Sequence, residues 1–203
     1  MTSLPSRNRE DWLAYAISAL FSPYIVLPVL AVATTWRIAP TPSDFLLWTS
    51  ATLFFLSFVP AAFIVHRIRS GQLSDIHIMV REQRFLVFLV FLASGGVGIL
   101  TLWQLGVPLQ FLSLTALLYL NGLIAALITS VWKISLHSWV LAAAITSFAL
   151  FTGNRAFWWL LALVPAVMWA RIVRNRHTYL QSWAGAVVGI LLTALTYYLF
   201  FIR

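Results

Sequence analysis

The segment Phe85–Trp132, FLVFLVFLASGGVGILTLWQLGVPLQFLSLTALLYLNGLIAALITSVW, runs for 48 residues without a charged side chain. As one helix at ~1.5 Å per residue it would measure roughly 70 Å, against a hydrocarbon core of about 30 Å. It must turn back on itself, and Gly106-Val107-Pro108 is the stretch whose residue types favour a turn. Two membrane spans are therefore expected here. Working outward, Trp12–Trp36 and Phe45–Val65 give uncharged runs of 25 and 21 residues, separated by the turn-like Arg37–Asp44. On the other side, Ile134–Asn154 and Ala156–Ala170 read as a shorter hairpin turning at Gly153-Asn154-Arg155, and Thr178–Ile202 as a last span. The fold class expected is an all-α, polytopic transmembrane bundle of six to seven spans, with seven preferred, forming a single domain over 1–203.

Composition agrees. Of 203 residues, 62% are hydrophobic and 9% charged, at a mean hydropathy of +0.92. Thirteen basic and five acidic side chains cannot cover a soluble fold of this size. Secreted, nucleic-acid-binding and disordered classes are excluded on that ground. The lack of cysteine removes disulfides, thiolate nucleophiles and Cys-ligated metal sites. The first apolar run is about twice the length of a typical signal-peptide core, so it is expected to remain attached. Pro23, Pro28 and Pro60 fall inside spans, where neighbouring helices can shelter freed carbonyls. Ten tryptophans, among them Trp12, Trp36, Trp132 and Trp183 near span ends, suit an aromatic belt. Gly95, Gly96, Gly98 and the Gly185-x3-Gly189 pair suit close helix approach, and Asn121 a hydrogen bond between helices.

With seven spans, ten Lys and Arg fall on one side of the membrane and three (Arg37, Arg155, Arg203) on the other. The ten-charge side is then cytoplasmic, in a multi-pass protein of the cell membrane. Histidines gather on the same side: His77, His137 and His177 each lie near a span end, with Arg84, Lys133 and Arg171. An imidazole can attack phosphorus, a second can protonate the leaving oxygen, and guanidinium forks bind the phosphoryl oxygens. His177 and Gln181, at i and i+4, share a helix face, so that Gln181 can accept from the histidine Nδ1–H and fix its tautomer. Ser135 lies two residues before His137 and is placed to donate to the same phosphate.

At these residues the chain resembles the type-2 phosphatidic acid phosphatase family, whose motifs are K-x6-R-P, P-S-G-H and S-R-x5-H-x3-D. The third is read at Ala170-Arg171, His177 and Gln181, the second at Ile134-Ser135-Leu136-His137, and the first at His77 with Arg84-Phe85. The similar region spans roughly 75 to 189. The resemblance implies a lipid phosphate phosphatase that needs no metal or cofactor and works through a phosphohistidine. His177 would be the nucleophile and His137 the general acid. Arg171 and Arg84 would clamp the phosphate with help from Ser135, and Gln181 would orient His177. The sequence departs from the family at several points: His77 stands for the lysine, Ile134 and Phe85 for the prolines, Leu136 for the glycine, Ala170 for the serine and Gln181 for the aspartate. Lys133, four residues from His137, would offset the missing lysine.

The implied partners are a lipid monophosphate or isoprenoid diphosphate and the bilayer itself, with no nucleic acid. Another reading is a catalytically impaired relative that binds anionic lipid or packs into a membrane complex. An intramembrane isoprenoid transferase, suggested by Asp75-x5-Arg81-x2-Arg84, would need two aspartate-rich clusters, and the chain has five acids in all.

Overall fold

A computed structural model describes residues 9–73 and 84–201. Among these residues every regular element is helical. Helix α1 (Arg9–Leu20) leads into α2 (Pro23–Ile38), and α3 (Pro42–Leu53) passes through a π-helical turn, Phe54–Phe58, into α4 (Val59–Arg69). The apolar hairpin is α5 (Arg84–Gln104) and α6 (Leu109–Val131). It turns at the expected place, where Gly106 adopts φ 68° and Pro108 caps α6. Helix α7 (Leu136–Thr152) is followed by a 3-10 segment, Arg155–Ala162, then α8 (Leu163–Val173) and α9 (Tyr179–Phe201). Five helical stretches are long and apolar enough to cross a membrane, six if α1 and α2 count as one bent span. Helix α7 is apolar but has 17 residues, at the short end of the spanning range. The described residues thus offer five or six candidate spans and not the seven preferred from the sequence, because the run Ile134–Asn154 forms only the short helix α7.

The first span departs from expectation at Pro23. α1 and α2 meet at 42°, with Ser22 extended at ψ 150°. Proline disfavours helical geometry in the residue before it and lacks an N–H, so it opens a helix more readily than it continues one. Pro60 is handled differently. In the π register the Phe54 carbonyl accepts from Val59, five residues on, so the donor due to Phe55 would be residue 60. Proline has no N–H to give, and the Ser94 hydroxyl on α5 donates to the Phe55 carbonyl instead.

The most extensive packing is α7 against α9. Gly185 and Gly189 let the two backbones touch: a Cβ at those positions would lie 2.5 Å from the Ser135 carbonyl oxygen and 2.6 Å from that of Trp139. Asn121 then ties α6 into the pair. Its Oδ1 accepts from Trp139 Nε1 at 3.0 Å and from Thr193 Oγ1 at 3.4 Å, and its Nδ2 donates to the Leu117 carbonyl. The belt reading suits Trp12, Trp36 and Trp183, which are exposed, but Trp48 and Trp139 are core residues.

Gly189→Ala is expected to destabilise the bundle by about 1–3 kcal/mol, because backbone cannot yield to a methyl group as a side-chain end can. Reversible unfolding in mixed micelles measures this, and an unchanged midpoint would rule out the close α7–α9 contact.

Candidate functional site

Three short connections build the site. The end of α8 closes as a Schellman motif. Asn175, at φ 51°, takes the left-handed position, its N–H donates to the Ile172 carbonyl at 2.8 Å, and Arg176 N–H reaches the Arg171 carbonyl at 3.0 Å. His177 N–H is directed at that same carbonyl at 3.3 Å. The reversal thus sets His177 back beside the last turn of α8, where Arg171 sits.

Helix α9 starts with a capping box, Thr178-x-x-Gln181. Gln181 N–H donates to Thr178 Oγ1 at 3.3 Å, and Thr178 N–H donates to Gln181 Oε1 at 3.2 Å. That second bond identifies the amide oxygen, because a backbone N–H needs an acceptor. His177 Nδ1 lies 3.2 Å from the same oxygen. Nδ1 must therefore carry the proton, and in the neutral ring the lone pair is left on Nε2. The expected His177–Gln181 bond is present, although His177 precedes α9 instead of lying on its face.

The start of α7 is fixed to the same place. Ser135 N–H donates to the Gln181 carbonyl at 3.1 Å. Its side chain caps α7, facing Ser138 N at 3.5 Å and Ser138 Oγ at 3.1 Å. His137, two residues on, is buried at 6% exposure in the first turn of α7.

His137, Arg171 and His177 all line one cavity of ≈ 520 Å³. Arg171 is 2% exposed, and its Nη1 donates to Ser18 Oγ at 2.7 Å. Arg174 Nη1 donates to the same hydroxyl at 3.2 Å, and its guanidinium lies 5.0 Å from the centre of the Tyr15 ring. Away from these three polar residues the cavity extends between α2, α3, α4, α5, α6 and α7 and is mainly apolar. Tyr24 and Phe58, both exposed, stand on its wall where α2 faces the π-helical turn.

Of the residues singled out from the sequence, His137, Arg171 and His177 share the cavity, and Gln181 is hydrogen-bonded to one of them. Ser135 and Lys133 do not line it: Ser135 is fully buried as the α7 cap, and Lys133 is half-buried in the preceding turn. Arg84 opens α5, but its side chain lies outside the described residues, as does His77. Among the described residues no three potential metal ligands cluster. Ser18 escapes sequence reasoning because one hydroxyl in a long apolar run carries no pattern. No family model matches the chain, and neither a curated protein nor a solved structure does.

Ser18→Ala is expected to cost about 1.5–3 kcal/mol, the range for a hydrogen bond to a charged group. Chemical unfolding in micelles tests it; a loss below ~0.5 kcal/mol, the scatter of neutral surface changes, would remove Ser18 as the support of Arg171.

Proposed function

We propose that this protein is a membrane-embedded phosphatase that hydrolyses a lipid monophosphate or an isoprenoid diphosphate through a phosphohistidine intermediate. The observation that carries the reading is the meeting of His137, from the first turn of α7, with Arg171, from the last turn of α8, and His177, from the turn between α8 and α9, at a single end of an apolar cavity. Two imidazoles and a guanidinium at the mouth of a hydrocarbon-lined space suit an amphiphile with a phosphoryl head. The similarity of the surrounding motifs to type-2 phosphatidic acid phosphatases supports the same chemistry.

In the proposed mechanism the Arg171 guanidinium holds the phosphoryl oxygens. His177 Nε2, freed by the Nδ1–H bond to Gln181, attacks the phosphorus of a monophosphate as its ester P–O bond breaks, or the terminal phosphorus of a diphosphate as its P–O–P bond breaks. The His137 imidazolium gives its proton to the departing alkoxide, or to the departing lipid monophosphate. Neutral His137 then takes a proton from water, whose oxygen attacks phosphorus and breaks the P–N bond. Inorganic phosphate leaves and both rings are restored. Helix-end basic residues outnumber those at the opposite ends, which supports a site at the cytoplasmic face of the cell membrane.

A second reading, a relative that binds anionic lipid without turnover, draws on Gln181, which brings no negative charge to the imidazolium formed in the reaction. Purified protein assayed with lipid phosphates in EDTA separates the two. Phosphate release is expected to persist in chelator, to be inhibited by vanadate, and to fall by roughly 10²–10⁴ in His137→Ala, the usual worth of a general acid. His177→Ala should abolish it and remove the acid-labile phosphoenzyme trapped by rapid quench. Equal turnover in His177→Ala and the parent protein would sink the assignment. A parent protein that binds vanadate but releases no phosphate would leave the binding reading.

A further inference from the structure

We infer that the cavity below the histidine–arginine end is a receptacle for a hydrocarbon tail, and that Phe111 at its far end sets the tail length accepted. The inference deepens the phosphatase reading and rests on it for the headgroup.

The dimensions come from the helices that line it. The cavity follows α6 from Phe111 to Ala125 and α2 from Pro23 to Thr34. At ~1.5 Å per residue these stretches are roughly 21 Å and 16 Å long. The polar end is at the start of α7 and the end of α8, while Phe111 lies in the first turn of α6, at the opposite end of the bundle. There Phe111 is 2% exposed and packs in a buried cluster with Trp48, Leu102 and Val107, which closes the floor.

The length sets the tail. An extended chain advances by about 1.3 Å per methylene, so roughly 16–21 Å corresponds to a tail of about 12–16 carbons between the polar end and the floor.

The walls favour hydrocarbon despite several hydroxyls. Thr34 donates to the Leu30 carbonyl at 2.7 Å, Thr52 to that of Trp48 at 2.7 Å and Thr115 to that of Phe111 at 2.9 Å. Asn121 is engaged with Trp139 and Leu117. These side chains spend their polar atoms on their own bundle. A tail moving here from the bilayer gains little from the hydrophobic effect, because it leaves one apolar medium for another. Selection must come from fit: a short tail leaves void, and a long one meets the Phe111 floor.

The test uses the full-length protein in lipid nanodiscs and a series of n-alkylphosphonates, which cannot be hydrolysed, with tails from about 8 to about 20 carbons. Binding is read by competition against a fluorescent phosphonate, and phosphate release is measured in parallel on the matching n-alkyl phosphates. Binding is expected to peak at about 12–16 carbons. Phe111→Ala should move the peak to tails longer by about two to four carbons, and Ala31→Leu, which fills the cavity from α2, should move it shorter by a similar step. Opposite shifts cannot arise from general damage to the fold, and if Phe111→Ala does not fold, the Ala31→Leu shift alone decides. Binding that is indifferent to length, or unmoved by either substitution, overturns the inference. Length-selective binding without phosphate release would instead defeat the phosphatase reading while the tail receptacle stood.

Discussion

The contact on which the site depends is between backbones: the start of α7 against the first turns of α9. Two glycines remove the side chains that would hold these helices apart, and Ser135 N–H then reaches the Gln181 carbonyl. Glycine in a helix interior costs about 1 kcal/mol relative to alanine, so two of them in α9 are a local weakness. The weakness is offset by packing and by main-chain contact that no larger residue would permit. It also has a positional consequence. His137 lies two residues beyond Ser135 and His177 four before Gln181, so fixing that one pair of backbone atoms sets both histidines relative to each other.

Arg171 enters through a separate device, the left-handed Asn175 that folds the chain back after α8. A non-glycine residue there is unusual, and asparagine is among the few that adopt it at modest cost. Its effect is to place Arg171 and His177, six residues apart, on the same carbonyl-centred turn. Helix α1 completes the arrangement from the other side, offering one hydroxyl to two guanidinium groups. Because α1 is bent away from α2 at Pro23, it can lie along α8 while α2 lies along the cavity. A straight first span could not do both.

Much of this was legible in the sequence, and what was not has a physical cause. Uncharged runs located the helices because lipid demands continuous internal hydrogen bonding over a fixed thickness. The Gly-x3-Gly pair and Asn121 announced helix contacts because small and amide side chains have few other uses inside a bilayer. The His177–Gln181 spacing pointed to a hydrogen bond, though Thr178-Tyr-Leu-Gln181 also spelled a capping box, the stronger signal. The break at Ser22–Pro23 was hidden because proline within an apolar run is compatible with a kinked or a broken span. Helix caps and phosphate donors use the same hydroxyl chemistry, so the sequence around Ser135 does not separate the two; the structure shows the hydroxyl buried as the α7 cap. The cavity itself leaves no trace in the chain, since a void belongs to the packing of several helices and to no residue.

Gln181 shows how the fold and the proposed chemistry constrain each other. Its amide oxygen serves two donors at once, the Thr178 N–H that begins α9 and the Nδ1–H of His177. A carboxylate in its place would satisfy both donors, but its charge would favour the imidazolium over the neutral ring. Imidazolium has no lone pair with which to attack phosphorus. The neutral amide keeps the attacking form of the ring available while still fixing the tautomer that exposes Nε2. What it gives up is stabilisation of the positive charge that develops as the P–N bond forms. Under the proposed mechanism, glutamine thus exchanges transition-state stabilisation for a more readily nucleophilic ground state, a trade suited to a site in which Arg171 would offset part of the phosphoryl charge.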